Sequence, residues 1–129
     1  MAIKAGDLMP KGVLVRMCPD GPKDIDVTEL FENKKVVLFS LPGAFTPTCS
    51  KKHLPGYVSN ADVIKQKGVD IIACLAVNDI HVMHAWGESL GANDDVLMLA
   101  DGNCAYTVEL GMDLDLSVVN MGRRGKRYS

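Results

Sequence analysis

The chain has 129 residues, the length of one ordinary domain, and this is enough to bury a hydrophobic core without disulfides or metals. Its formal net charge of −2 argues against a general role in binding nucleic acids or membrane surfaces. No apolar run approaches the roughly 20 residues that a membrane-spanning helix needs. We therefore expect residues 1–129 to form a single domain with neither a nucleic-acid partner nor a membrane segment.

The first half of the chain alternates apolar runs with turn-forming residues. The apolar run 13–17 predicts a strand, and the Pro- and Gly-rich residues after it predict a loop. Asp26, with an acidic residue three positions later, predicts the N-cap of a short helix. The nearly continuous apolar run 35–41 is typical of a strand covered on both faces. A helix is predicted from about residue 48 to 67, with a bend at Pro55–Gly56.

The second half repeats this alternation. Residues 70–77 predict another buried strand, and Asn78 or Asp79 is suited to cap the helix that follows. The remaining predicted elements are a strand over 96–100, a short helix over 105–110 and the start of a strand over 127–129. Strands that alternate with helices indicate a layered α/β fold, and such folds place their sites where a helix begins at the carboxyl edge of the sheet.

Four cysteines are scattered along the chain, at Cys18, Cys49, Cys74 and Cys104. They form neither a CxxC pair nor a spacing typical of zinc ligands. The N-terminus resembles neither a secretory signal nor a transit peptide, so we expect a cytoplasmic protein, or an organellar one if a presequence is missing. In a reducing compartment scattered cysteines are usually free thiols, and we expect one or two of them at most to carry chemistry.

The segment 42–49 is the strongest candidate for a reactive site. Its two prolines and Gly43 predict a rigid loop that leads into a helix with Cys49 in the first turn. Thiolates are stabilised at helix N-termini and beside cations, and residues 51–53 supply positive charge. Thr46 offers a hydroxyl that can donate to, or accept from, an oxygen bound against the sulfur. The alternative is a buried cysteine beside a helix cap.

Other candidates have simpler interpretations. Cys74 lies inside an apolar run and is expected in the core. Cys18 lies in a loop without an activating neighbour. Cys104 is either a resolving cysteine or a surface or half-buried thiol. His53, one helical turn after Cys49, either pairs with the thiolate or has a packing or capping role.

Residues 36–57 resemble the active-site segment of the peroxiredoxins, most of all the type II, or atypical two-cysteine, subfamily. The family signature Pro-x-x-x-Thr-x-x-Cys matches Pro42, Thr46 and Cys49, and Ser-Lys-x-His-Leu-Pro-Gly follows in the pattern of this branch. The likeness continues through residues 73–79, 84–86, 99–103 and 122–129. It therefore covers essentially the whole chain.

The resemblance implies a role for each residue that matches the family pattern. Cys49 would be the peroxidatic cysteine that attacks the peroxide. Thr46 would form a hydrogen bond to the peroxide, and Pro42 would shield the thiolate from water. Arg127 would stabilise the thiolate and the lengthening O–O bond. The backbone N–H groups of Thr48 and Cys49 would complete the binding cradle, and the other basic residues near Arg127 would be surface charges rather than a nucleic-acid tail.

The implied fold is thioredoxin-like, an α/β fold with a central mixed sheet flanked by helices. The implied function is a thiol-dependent peroxidase that reduces hydrogen peroxide and alkyl hydroperoxides through a sulfenic acid, in antioxidant defence, without metal or organic cofactor. The implied partners are glutathione, glutaredoxin or thioredoxin as reductant and a second copy in a homodimer. A thioredoxin-like disulfide oxidoreductase is a weaker alternative without CxxC. A catalytically impaired, truncated form acting as a redox-regulatory or interaction module is the other alternative.

The chain departs from the family pattern after Arg127, where that pattern continues with further strands and a C-terminal helix. Atypical two-cysteine members carry the resolving cysteine in that part. Two expectations follow. The catalytic cycle uses one cysteine with an external reductant, and the fold is weakened because a sheet edge is unpaired and its core face is uncovered.

Overall fold

The structure is a computed structural model that describes residues 2–129. Within these residues the strands are β1 (Val13–Cys18), β2 (Gly21–Asp26), β3 (Val36–Ser40), β4 (Ile71–Ala76), β5 (Leu97–Ala100), β6 (Asp113–Asp115) and β7 (Arg123–Gly125). The α-helices of the same range are α1 (Val27–Phe31), α2 (Leu54–Ser59), α3 (Ala61–Gln66), α4 (Ile80–Ser89) and α5 (Ala105–Glu109). A π-helix spans Cys49–His53 and a 3₁₀ turn spans Ser117–Val119. None of the helices in residues 2–129 combines the length and the apolar character that crossing a membrane requires.

In the described part of the chain the main sheet has the strand order β2-β1-β5-β4-β3, and β6 pairs only with β7. β3, β4 and β5 are parallel, whereas β1 is antiparallel to both of its neighbours. Parallel strands need crossover connections, and the π-helix with α2 and α3, and then α4, supply them. The sheet is therefore mixed, as the family resemblance implies.

The core lies on both faces of β4, the strand at the centre of the parallel part. Alternate residues point to opposite faces of a strand, so Ile72 and Cys74 pack against α2, α3 and α4, while Ala73 and Leu75 pack against α1 and α5. All four are at most 1% exposed. This double coverage explains the continuous apolar run of residues 70–77.

The loop predicted after β1 is reduced to the turn at residues 19–20, because β2 follows it and forms a hairpin with β1 over six residue pairs. The residues of β2, GPKDID, are polar and mostly exposed, so no apolar alternation marks them as a strand. Its pairing comes from backbone hydrogen bonds to β1, and Pro22 is tolerated because β2 lies at the sheet edge.

The predicted helix over residues 48–67 is present but interrupted differently. Its first turns are a π-helix, in which the N–H of Leu54 reaches back to the carbonyl of Cys49. Pro55 then occupies the beginning of α2, where a missing N–H costs little. The break lies at Asn60, with φ −105° and ψ 7°, and not at Pro55–Gly56.

β3 is the edge strand on the other side of the sheet. At its carboxyl end Ser40 pairs with Tyr128, with backbone hydrogen bonds of 2.9 and 3.2 Å in the two directions. The strand predicted to begin at residues 127–129 thus appears as one antiparallel bridge. This bridge brings Arg127 to the carboxyl end of β3, where the loop to Cys49 starts.

Candidate active site

Cys49 begins the π-helix that follows β3 and its loop. The residue is only 1% exposed and belongs to the core cluster on the α4 face of the sheet. Its Sγ accepts a hydrogen bond of 3.1 Å from Nη2 of Arg127. The two residues are 78 positions apart in sequence, and the tertiary fold brings them into the contact that the family resemblance implies.

Thr46 connects the loop to the helical turn that contains Cys49 through two hydrogen bonds. Its Oγ1 donates a hydrogen bond of 2.7 Å to the carbonyl of Gly43, and its own carbonyl accepts from the N–H of Ser50 at 2.9 Å. Because the hydroxyl proton is engaged, the oxygen of Thr46 is available as an acceptor. Phe45, which lies between Gly43 and Thr46 in the sequence, adopts φ +63°, a left-handed conformation that is uncommon for a bulky residue.

Two residues that the sequence did not mark as part of the site form side-chain hydrogen bonds to the backbone of this loop. Asn78 Oδ1 accepts a hydrogen bond of 2.9 Å from the N–H of Ala44. Nη1 of Arg124 lies 3.2 Å from the carbonyl of Val77 and 3.4 Å from that of Pro42, and both accept from it. Arg124 is therefore not the surface charge that the family resemblance implies. Two basic residues in succession carry no signal that one points inward.

Gly43 explains why the loop can approach Arg124 so closely. A Cβ at this position would lie 2.9 Å from Nη1 of Arg124 and 3.4 Å from Cγ2 of Thr46. The φ of Gly43 is not in the left-handed region, so glycine matters here for space: a Cβ would displace the Arg124 guanidinium from its position against the loop. Pro42, one residue earlier, is half-buried and lies two residues after the end of β3.

A cavity of about 460 Å³ opens beside this arrangement. It is lined by Thr48, Lys52, His53, Gly56, Tyr57, Asn60, Ile64 and Arg127. His53 contacts Arg127 rather than the sulfur, with 2.6 Å between Nδ1 and Nη1. Partial burial and the nearby guanidinium hold the pKa of His53 below its usual value. Lys51 and Lys52, expected to add positive charge, are exposed.

The other three cysteines lie away from this cavity, and all four are free thiols. Cys74 is fully buried in β4, and burial strongly raises the pKa of its thiol, as expected for a core cysteine. Cys18 is half-buried and is the last residue of β1, so it does not lie in the predicted loop. Cys104 is buried, not the surface or half-buried thiol of one expectation, and it precedes α5 with φ +64°. Burial, followed by the Asp101 carboxylate, raises its pKa.

Comparison with known proteins identifies the family. The redoxin family profile matches residues 4–128. The chain is 47% identical to peroxiredoxin-2E, chloroplastic, from Arabidopsis thaliana, over 99% of this chain and 56% of that protein. The chain belongs to the redoxin family, among the type II peroxiredoxins. The family and subfamily predicted from residues 36–57 are confirmed.

Solved structures of other peroxiredoxins have the same fold. Reduced Prx3 in complex with H2O2 from Vibrio vulnificus is 48% identical with a TM-score of 0.94, over 97% of this peroxiredoxin and 78% of that chain. The 1-Cys peroxiredoxin named antioxidant protein from Plasmodium falciparum is 40% identical with a TM-score of 0.90, over 97% and 75%. The thioredoxin-like fold is confirmed. This peroxiredoxin nevertheless spans only 56% of the length of its Arabidopsis relative.

Proposed function

We propose that this peroxiredoxin reduces hydrogen peroxide and alkyl hydroperoxides, with Cys49 as the attacking residue. The observation that carries the proposal is the hydrogen bond of 3.1 Å from Arg127 Nη2 to Cys49 Sγ. A guanidinium at this distance stabilises the thiolate, which is the nucleophilic form of cysteine, through its charge and its hydrogen bond. The Vibrio structure, described as a reduced Prx3 in complex with H2O2, supports a peroxide as the substrate.

The proposed step is a displacement at oxygen. The Cys49 thiolate attacks one peroxide oxygen, the S–O bond forms as the O–O bond breaks, and the second oxygen leaves as hydroxide or alkoxide. The leaving group takes a proton from water, and the cysteine is oxidised to a sulfenic acid. Arg127 donates hydrogen bonds to the oxygens while their negative charge develops.

The neighbouring groups bind and orient the peroxide in this proposal. Thr46 accepts the peroxide O–H, because its own proton is donated to Gly43. Backbone N–H groups of Thr48 and Cys49 donate to the peroxide, and Pro42 covers the thiolate from water. The near-complete burial of Cys49 supports a site that excludes solvent.

The cavity beside Arg127 supports alkyl hydroperoxides as substrates in addition to hydrogen peroxide. Tyr57 and Ile64 line it together with Thr48, whose backbone belongs to the proposed cradle. Its volume of about 460 Å³ accommodates an alkyl group attached to a peroxide bound at Arg127.

We propose a one-cysteine cycle with an external thiol as reductant. The cysteines of the described residues are all free, and the buried thiols Cys74 and Cys104 are held in their neutral form by burial. A first reductant thiol condenses with the sulfenic acid, releases water and forms a mixed disulfide with Cys49. A second reductant thiol then attacks this mixed disulfide, so that Cys49 is released as a thiol and the two reductant thiols leave as a disulfide. Glutathione with glutaredoxin, or thioredoxin, supplies such thiols. The Plasmodium relative, named a 1-Cys peroxiredoxin, supports this cycle.

The test is peroxide challenge of the reduced chain, with mass spectrometry to locate the oxidised residue. We expect rapid oxidation at Cys49, which is lost in Cys49→Ser and retained in the matched variant Cys74→Ser. Oxidation spread slowly over all cysteines would contradict the proposal and favour the impaired module. Turnover with glutaredoxin and glutathione, compared with thioredoxin, identifies the reductant.

We also propose that the protein is a homodimer in a reducing compartment, either the cytoplasm or an organelle. The free cysteines support a reducing compartment, and the chloroplastic name of the Arabidopsis relative supports the organelle. Val118 is 89% exposed and Val119 57%, which supports a covered surface in a dimer. Sedimentation analysis tests the dimer, and a fluorescent fusion of the natural gene product tests the compartment.

A further inference from the structure

Arg127 reaches Cys49 with only one of its two terminal nitrogens. Nη2 donates to Sγ, while Nη1 lies 2.6 Å from Nδ1 of His53. A guanidinium has only N–H donors, so the histidine nitrogen must be the acceptor. The contact therefore requires a neutral imidazole with its proton on Nε2.

Arg127 depends on this contact because little else holds its side chain. Within residues 2–129 its side-chain hydrogen bonds go to His53 and Cys49. The residue is exposed, and it follows the short strand β7 near the end of the described chain. A free arginine side chain has many rotamers, and fixing it in one of them has a large entropic cost.

His53, by contrast, is held by its neighbours. Its ring lies 5.1 Å from the ring of Phe39 and 5.7 Å from that of Tyr57, measured between centroids. Phe39 and Tyr57 are themselves stacked at 3.9 Å with an angle of 3° between their planes. Phe39 is fully buried in β3. The imidazole is thus attached to the core and presents Nδ1 in a defined direction.

We propose that His53 is a positioning residue, which holds the Arg127 guanidinium against the Cys49 sulfur by accepting its hydrogen bond at Nδ1. The inference rests on the proposed function of Cys49. This role differs from the two that the sequence left open for His53, because the ring neither pairs with the sulfur nor merely fills space. His53 acts on the sulfur only through the arginine.

The proposal predicts a pH dependence in acid. When His53 is protonated both ring nitrogens are donors, so Nδ1 no longer accepts and the two cations repel. The charged or titratable groups around the ring are Arg127, Lys52, Tyr57 and, beyond the guanidinium, Cys49. Partial burial and Arg127 hold the pKa of His53 below its usual value, so the contact persists at neutral pH and is lost only in acid.

The experiment compares His53→Asn with His53→Leu. Asn is not titratable, and its amide oxygen presents an acceptor close to the position of Nδ1. Leu has a similar size and no acceptor. The oxidation of Cys49 can be followed by the fluorescence of Trp86, the single tryptophan, whose Nε1 donates to the hydroxyl of Ser50 at 2.9 Å. The ultraviolet absorbance of the thiolate, followed against pH, is the second measurement.

We expect His53→Leu to slow Cys49 oxidation by about tenfold, the effect of losing one hydrogen bond to a charged group. We also expect its thiolate to appear only at higher pH than in the wild type. His53→Asn should stay within about threefold of the wild-type rate and lose the acid decline caused by His53 protonation. Equal melting temperatures of the two variants check that the fold is intact.

The proposal is overturned if His53→Leu matches the wild type in both rate and thiolate titration. It is equally overturned if Asn and Leu impair the site to the same degree, because that result indicates packing rather than hydrogen bonding. If the wild type does not react with peroxide, the proposed function fails. The thiolate titrations of the two variants still test His53 in that case.

Discussion

From the structure we expect the adjacent residues Arg123 and Arg124 to differ in their effect on stability and on Cys49 oxidation, with Arg124 the more important of the two. Arg124 lies with Nη1 between the carbonyls of Pro42 and Val77, and its Nε donates to the carbonyl of Met121 at 2.9 Å. Arg123 extends outward and forms an ion pair with an aspartate of β6. Replacing each by Met, which keeps the apolar stem and removes the guanidinium, separates the two roles.

The loss of stability in Arg124→Met can be calculated from the hydrogen bonds that the substitution removes. A bond from a charged donor contributes about 1.5–3 kcal/mol, but those of Arg124 to the loop are long and the residue is half-exposed, so we take about 2 kcal/mol in total. The entropy of unfolding of about 2.1 cal/mol/K per residue is about 0.27 kcal/mol/K for this chain. Arg124→Met should therefore lower the melting temperature by about 7 °C.

The matched control is Arg123→Met. An exposed ion pair contributes about 0.5 kcal/mol, so the melting temperature should fall by no more than about 2 °C. Arg124 also holds the carbonyl of Pro42 at the start of the loop that leads to Cys49, so Arg124→Met should slow Cys49 oxidation and Arg123→Met should not. Calorimetry and stopped-flow fluorescence measure both effects. Equal losses in the two variants would refute the reasoning that Arg124 holds the loop.

Three further predictions concern single contacts. Asn78→Ala leaves the N–H of Ala44 without its acceptor, so it should lower the free energy of unfolding by about 1–3 kcal/mol in denaturant titrations; an unchanged midpoint would contradict this. Gly43→Ala should slow Cys49 oxidation because its Cβ would meet the guanidinium behind the loop at 2.9 Å. The control is Gly56→Ala in α2, whose Cβ meets nothing within 4 Å and which should raise the melting temperature slightly. Burial raises the pKa of Tyr106 to about 12, so its neutral form is favoured in the folded state. Stability should fall as the pH rises from the usual tyrosine value near 10 towards 12, and Tyr106→Phe should flatten this decline in alkaline denaturation curves.

Much of the parallel part of the sheet follows from the sequence alone. The apolar runs at 35–41, 70–77 and 96–100 become β3, β4 and β5, because strands covered on both faces need apolar side chains at successive positions. Asp26 caps α1 and Asp79 caps α4, as their side chains accept from backbone N–H groups three residues later. These signals are local, since each depends on residues within one strand or one helical turn.

Local signals fail where pairing partners are distant in sequence. β2 is polar and becomes a strand only because β1 pairs with it. The inward direction of Arg124 depends on which face of β7 meets the loop that leads to Cys49, and nothing in a run of basic residues encodes that face.

The candidate site also has a part that local sequence predicts and a part that depends on contacts between distant residues. The signature at Pro42, Thr46 and Cys49 lies within eight residues, so the sequence by itself identified the family and predicted Cys49 as the reactive cysteine. The contacts of Arg127 with Cys49 and His53 span 78 and 74 positions, and they exist because Tyr128 pairs with the end of β3. Only the tertiary structure decided that His53 faces the arginine, since the order of strands in a sheet sets which distant side chains meet.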